Sequence, residues 1–172
     1  DAISKFKRLV SLGEADVPSE EQYQIRVILD KKNKTIQVVD NGIGMTAEEV
    51  KKYINQVAFS GAQEFLEKYK EQSEANQIIG HFGLGFYSAF MVSDKVEIDT
   101  LSWQDGAEAV KWASDGGTTY EMSASDRGDR GTTITLYIAE ESQEFLNKYE
   151  LGRIMEKYCA FLPVEVYLDD LE

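Results

Sequence analysis

The chain has 172 residues, with 31 Asp and Glu against 18 Lys and Arg, a formal charge of −13 at pH 7, one His and one Cys. That length reads as one globular domain with a sizeable core, since folding buries about 70% of the surface of such a chain, and 42% hydrophobic residues make the charge an acidic surface and not a sign of disorder. Nucleic acid is not an expected partner, because phosphate binding draws on clustered Lys and Arg, and here these are scattered among nearly twice as many carboxylates.

In chain order, Ala2, Ile3, Phe6, Leu9 and Val10 recur at helical spacing before Gly13, so the chain is expected to begin inside a helix. Residues 14–22 are polar and read as a loop. Ile25, Val27 and Leu29 alternate with polar or smaller partners, Lys31 to Lys34 make a turn, and Ile36 and Val38 resume the alternation, which predicts a β-hairpin ending at Asp40. After the loop Asn41 to Met45, Thr46 and Glu49 form a capping box for a helix whose apolar face is Val50, Tyr53, Ile54 and Val57. Ser60 and Gln63 repeat the box for a short helix carrying Phe65, Leu66 and Tyr69, followed by a polar stretch from Lys70 to Gln77.

A Gly-rich segment, Gly80 to Gly85, runs into an apolar helix from Phe86 to Val92. The period then changes to that of strands at Val96–Ile98, Val110–Trp112, Thr118–Met122 and Thr132–Ile138, joined by turns and expected as an antiparallel meander. Ser142–Tyr149 and Leu151–Leu162 read as helices, the second stopped by Pro163, and Val164–Leu168 as a last strand. Grouped strands and helices predict an α+β fold with helices packed on one face of a mostly antiparallel sheet.

A lone Cys159 cannot make an internal disulfide, and one His with one Cys fall short of a standard zinc ligand set, which suggests a reducing, intracellular compartment. The longest nearly continuous apolar stretch, Phe86 to Val92, is far shorter than the ~20 residues a membrane span requires, and no signal segment is expected.

Three segments have the chemistry of a binding site. Asp40-Asn41-Gly42-Ile43-Gly44-Met45 at a strand end is either a turn that terminates the strand or a ligand loop. In the second reading the two glycines let backbone approach the ligand, Asp40 accepts from an exocyclic amine such as that of adenine, and Met45 supplies an apolar wall. Gly80-His81-Phe82-Gly83-Leu84-Gly85 at the start of a helix is either a connector or an anion site built from backbone N–H groups. It matches neither the Gly-x-x-x-x-Gly-Lys-Ser/Thr motif nor the dinucleotide fingerprint. Arg130-Gly131-Thr132-Thr133 opens a strand as a turn, or brings the Thr132 hydroxyl beside Asp40 if the two strands are neighbours, so that both share a water bridging to a purine. His81 has no Ser or Cys neighbour that would make a triad. Cys159, Trp103 and Trp112 read as packing residues, and Glu140, Glu141 and Glu144 as a solvated helix face.

Taken in order, Asp40 to Thr46, Ser60-Gly61, Ile79 to Phe90 and Arg130-Gly131-Thr132 resemble the N-terminal ATP-binding domain of the ninety-kilodalton heat-shock protein chaperones, particularly the bacterial HtpG branch. The resemblance spans essentially the whole chain, residues 1–172. It implies the two-layer, non-P-loop ATP-binding sandwich shared with DNA gyrase B, MutL and sensor histidine kinases. It also implies that Asp40 takes the adenine amine and that Gly44, Met45 and Thr132 line the base pocket. Gly83, Leu84, Gly85 and Phe86 would offer N–H groups to the phosphates, with Ser60 and Gly61 also at the nucleotide. Residues 60–85 would form a lid over ATP or ADP with Mg²⁺.

In the family, the general-base Glu and the Mg²⁺-binding Asn precede the residue matching Asp1. The sequence is therefore expected to lack the first strand and part of the first helix, to hold no catalytic or metal-ligating residue of its own, and to be less stable than a complete domain. Phe59 stands where many relatives have a basic residue, and Tyr53 where eukaryotic relatives have Asn. For the parent protein the resemblance implies ATP hydrolysis that drives a conformational cycle on unfolded or partly folded client proteins. The parent would be a cytoplasmic homodimer of the stress response, and the fragment a monomer.

Overall fold

The structure is a computed structural model that describes residues 2–55, 89–117 and 119–171. Helix α1 (Ala2–Ser11) buries Ile3 and Phe6, one turn apart, and keeps Leu9 and Val10 half-buried. The predicted hairpin is present as β1 (Gln24–Asp30) and β2 (Thr35–Asp40), antiparallel, with Ile25 opposite Asp40 and Asp30 opposite Thr35. Its turn is closed by the Asp30 carboxylate, which accepts from the Asn33 backbone N–H at 3.0 Å.

The capping box forms as expected. Thr46 Oγ1 accepts from the Glu49 N–H at 3.2 Å and Glu49 Oε1 accepts from the Thr46 N–H at 3.4 Å, opening the short helix α2 (Ala47–Glu49). The chain continues as a π-helical turn over Val50–Asn55. This winding corrects the expected apolar face. Val50 and Ile54 are buried, but Tyr53 is exposed, because i→i+5 winding is wider than an α-helix and turns the i+3 position away from the face shared by i and i+4.

The remaining strands are β3 (Ser93–Leu101), β4 (Val110–Ser114), β5 (Glu121–Ala124), β6 (Gly131–Ile138) and β7 (Glu165–Leu171). They join the hairpin in one seven-stranded sheet of order β5-β4-β3-β6-β2-β1-β7. The expected meander stops after three strands. β6 does not pair with β5 but returns beside β3, a Greek-key order. Burial explains the choice, since β5 is four residues long and mostly exposed, whereas β6 is eight residues with no exposed position and belongs mid-sheet. Only β7 is parallel to its neighbour, β1.

Between the last strands the structure departs from the predicted helix bounds. Glu140–Phe145 is a 3₁₀ turn, and α3 (Lys148–Cys159) starts early because Asn147 caps it, its side-chain oxygen accepting from the N–H groups of Tyr149 and Glu150. Glu140, Glu141 and Glu144 are exposed, as expected, while Cys159 is half-buried instead of lying in the core.

One cross-strand row organises the covered face of the sheet. Met122, Trp112, Ile98, Ile134, Val38, Val27 and Leu168 are successive register partners across all seven strands. Around this row lie two apolar clusters, one of Val50, Ile54, Val96, Ile98, Val110 and Trp112, the other of Leu29, Ile36, Ile138 and Leu151. The opposite face is polar, with Gln37, Glu97, Asp99, Lys111, Thr133 and Thr135 among its residues. Among the described residues no helix is long and apolar enough to cross a membrane.

Candidate functional site

Two residues along each strand from the apolar row, the next row reads Ala124, Val110, Thr100, Thr132, Asp40, Ile25 and Val166. It is apolar at both ends and polar in the middle. Three adjacent strands thus place two hydroxyls and a carboxylate side by side on the covered face, where an apolar row would pack at lower cost. Thr100 is 0% and Thr132 5% exposed. The juxtaposition of Asp40 and Thr132 that the sequence left conditional is a direct register pairing of β2 with β6.

Asp40 ends β2, and the Gly42 N–H donates to its Oδ1 at 2.8 Å. Burial pushes the Asp40 carboxyl above its ordinary range, against the opposing pull of that N–H and of the Arg127 and Arg130 charges. A half-buried carboxylate with one oxygen occupied has acceptor capacity left over. A cavity of about 140 Å³ opens beside it, lined by Ala2, Ile3, Ser4 and Lys7 of α1, by Ile25, and by Leu162 to Val164. Ligand pockets usually run to ~300 Å³ or more, so this space suits a single ring system and not a whole nucleotide. Of the predicted base-pocket residues, Asp40 alone lines it.

The glycines of the Asp40 loop let the loop pack closely on its own protein. Both lie against protein backbone: a Cβ on Gly42 would sit 2.6 Å from the Ala2 carbonyl carbon, and one on Gly44, whose φ is +64°, would overlap the Leu101 carbonyl. The loop is held along its length. Ile43 N–H donates to Ala2 O at 3.2 Å, Ile43 O accepts from Trp103 N–H at 2.9 Å, and Met45 N–H donates to Thr100 Oγ1 at 3.0 Å. Asn41 clamps the far side, accepting from Gln24 N–H at 3.0 Å and donating to Gln22 O at 2.8 Å.

Two residues that the sequence reading missed complete the site. Arg130, placed by the sequence in a turn and in the family motif without a role of its own, fastens the loop to its surroundings. It donates to Gly42 O at 3.0 Å and Asn41 O at 2.8 Å, pairs with Glu21, and lies over the Phe6 ring with 3.7 Å between guanidinium carbon and ring centre. Thr100 links Met45, Gly131 and Thr132 through a single hydroxyl. Thr100 continues the face of Val96 and Ile98, both buried apolar residues, and only the register with β6 sets its hydroxyl beside Thr132. Trp112 is a packing residue, 1% exposed and edge-on to Phe90 at 6.4 Å.

Ser60, Gly61, Gly83, Leu84, Gly85 and Phe86 lie outside the described residues, as do the expected lid at 60–85, Phe59 and His81. Among the described residues no group of three or more His, Cys, Asp or Glu could hold a metal ion.

Residues 19–145 match the family of histidine kinase-, DNA gyrase B-, and HSP90-like ATPases. The chaperone protein HtpG of Porphyromonas gingivalis is 51% identical over 166 residues, 96% of this chain and 24% of that relative. The HtpG protein of Bacteroides fragilis is likewise 51% identical over 96% of this chain, and that of Geobacter metallireducens 41% over 98%. The chain spans about a quarter of the length of these curated relatives. A mixed sheet with helices on one face, a half-buried carboxylate in a polar cross-strand row, and a family match over most of the chain lead to one assignment: this chain belongs to the histidine kinase-, DNA gyrase B- and HSP90-like ATPases.

Proposed function

We propose that residues 1–172 form a single adenine-nucleotide-binding domain of an HtpG-type molecular chaperone. The observation that carries this reading is the polar triplet Thr100, Thr132 and Asp40 in an otherwise apolar sheet row. The acceptor at the cavity suits adenine: the free Asp40 oxygen accepts from the exocyclic amine, while the roles of Thr132, Gly44 and Met45 around the base rest on the family resemblance. Residues 83–86 supply N–H groups to the phosphates and 60–85 close over the bound nucleotide, both on the strength of the family resemblance.

ATP supplies the energy of the parent cycle, which acts on unfolded client proteins in a cytoplasmic homodimer; the relatives' name of chaperone protein supports this. The chain's own residues bind and orient the base, and the Arg130 clamp keeps the loop that carries Gly44 in place. In this reading, as the resemblance implies, the family's general-base Glu and Mg²⁺-binding Asn lie on the first long helix before the residue matching Asp1, and the 172-residue polypeptide acts as a monomeric binding module that hydrolyses ATP at background rate.

Calorimetric titration of the polypeptide with ADP is the test, run beside a phosphate-release assay with ATP and Mg²⁺. Saturable one-site ADP binding with no release above the buffer blank is expected. A folded polypeptide that takes up no ADP would overturn the binding reading, and release above the blank would overturn the assignment of the base.

A further inference from the structure

We propose that Asn41 is a deamidation site that is barred while the loop after β2 is closed and reacts when the loop opens, turning an opening of the fold into a permanent extra charge beside Asp40.

Asn41-Gly42 is the single Asn-Gly pair of the sequence. Glycine leaves its own amide nitrogen unshielded and its backbone free to turn, so an Asn before it is prone to ring closure in an open chain. In that reaction Gly42 N attacks Asn41 Cγ. The N–Cγ bond forms, the Cγ–Nδ2 bond breaks, and Nδ2 leaves as ammonia with the proton of Gly42 N. Water then opens the five-membered imide at one of its two carbonyl groups and leaves Asp or isoaspartate at position 41.

The groups that must move are tied in the closed loop. The Asn41 side chain is held from both ends, Oδ1 accepting from Gln24 N–H at 3.0 Å and Nδ2 donating to Gln22 O at 2.8 Å, which anchors the amide to the chain entering β1. The peptide that has to swing round is pinned by Arg130 at Asn41 O and Gly42 O, at 2.8 and 3.0 Å, and Ile43 N–H holds the next one to Ala2 O at 3.2 Å. Gly42 has no room to turn, since even a Cβ there would sit 2.6 Å from the Ala2 carbonyl carbon. The nucleophile is engaged as well. Gly42 N–H donates to Asp40 Oδ1 at 2.8 Å, and an ionised carboxylate at that distance opposes the amide anion that attacks. Ring closure therefore waits for an opening that breaks these bonds, and its rate follows the population of the open form.

The product does not restore the clamp. A carboxylate at position 41 still accepts from Gln24 N–H but has no hydrogen for Gln22 O, and it adds a negative charge next to that of Asp40. Isoaspartate also lengthens the backbone by one carbon where Arg130 holds two consecutive carbonyls. Deamidation thus loosens the loop that first resisted it.

The test is peptide mapping by mass spectrometry of the 172-residue chain kept in warm, mildly alkaline buffer, scored as the amide-to-acid mass gain at residue 41. Isomerisation at Asp105-Gly106 or Asp115-Gly116 gives no mass gain and does not interfere. The folded chain is expected to react at least about 10-fold more slowly than the same chain in urea, a comparison that needs no variant. Arg130→Lys, verified as folded by circular dichroism in the same buffer, is expected to react faster than wild type. Asn41→Asp, which carries the product's charge from the start, should lower the thermal midpoint. Equal rates in buffer and urea, or a folded Arg130→Lys chain reacting at the wild-type rate, overturn the barrier. No mass gain at residue 41 in urea overturns the site itself, and an Asn41→Asp chain as stable as wild type overturns the consequence for the loop.

Discussion

Asp40 carries opposite demands from stability and binding. A carboxylate whose folded pKa is raised by burial contributes stability that is fully present below the unfolded pKa of about 3.9 and is lost as pH rises through the folded value. At neutral pH the ionised group therefore destabilises the empty site. Asn at this position still accepts the Gly42 N–H, since its side-chain oxygen can replace Oδ1, but it carries no charge to desolvate. Asp40→Asn is expected to raise the thermal midpoint of the nucleotide-free chain at pH 7.5, with the gain shrinking as pH is lowered. ADP affinity should fall about 100-fold, since a charge-assisted hydrogen bond is lost and an amide N–H₂ then faces the amine of the base. Thermal melts across pH check the first half and titration the second; an Asn variant less stable than wild type at pH 7.5 would refute the account. Asp40 was legible in the sequence because a carboxylate next to Asn-Gly at a strand end stands out locally. Thr100 was not, because Asp-Thr-Leu within an alternating strand looks ordinary until the register with β6 puts its hydroxyl beside Thr132.

Elements meet at Arg130. Its guanidinium reaches the loop after β2 through two carbonyls, the segment before β1 through Glu21, and α1 through the Phe6 ring, while its backbone leads into β6. Sequence patterns are local, and Glu21 is 109 residues away along the chain, so nothing near Arg130 announces the contact. The hairpin and the capping box were legible for the same reason in reverse, since both are closed by partners within a few residues. The place of β6 was not, because a short turn after β5 predicts pairing with β5 and only burial decides otherwise. The Arg130 and Glu21 side chains are 15% and 21% exposed, so water screens the pair only in part. Arg130→Ala removes charge-assisted bonds to three acceptors and strands a buried carboxylate, a loss of roughly 2–4 kcal/mol. For a domain of this size that lowers the thermal midpoint by roughly 5–15 °C. Arg130→Lys, a point donor without the planar fork, should recover less than half of the loss. Scanning calorimetry of the two variants checks this, and a Lys variant matching wild type would show that the charge alone suffices.

At the scale of the molecule, the sheet carries two apolar clusters that could in principle melt separately. The first gathers β3 and β4 under the π-helical turn, and the second gathers β1 and β2 under α3. β6 prevents independence, because Ile134 packs on the first cluster while Leu136 and Ile138 belong to the second, and its backbone bonds both β3 and β2. Pulling either cluster apart exposes apolar side chains of the strand that the other one needs. The seven-strand row from Met122 to Leu168 couples the halves again through side-chain contact. The net charge of −13 opposes compaction of the whole and does not favour either half in particular. Unfolding in urea is therefore expected to be a single transition. Far-UV circular dichroism, which follows the whole sheet and α3, and tryptophan fluorescence, which reports on Trp112 buried in the first cluster and on Trp103 just after β3, should share one midpoint and one slope. A fluorescence transition completed at lower urea than the dichroism change would mean that the β3-β4 half opens by itself and that β6 does not bind the two clusters into one unit. Ile134→Ala sharpens the comparison: a large cavity in the shared strand, costing about 2–5 kcal/mol, should move both probes together and leave them coincident.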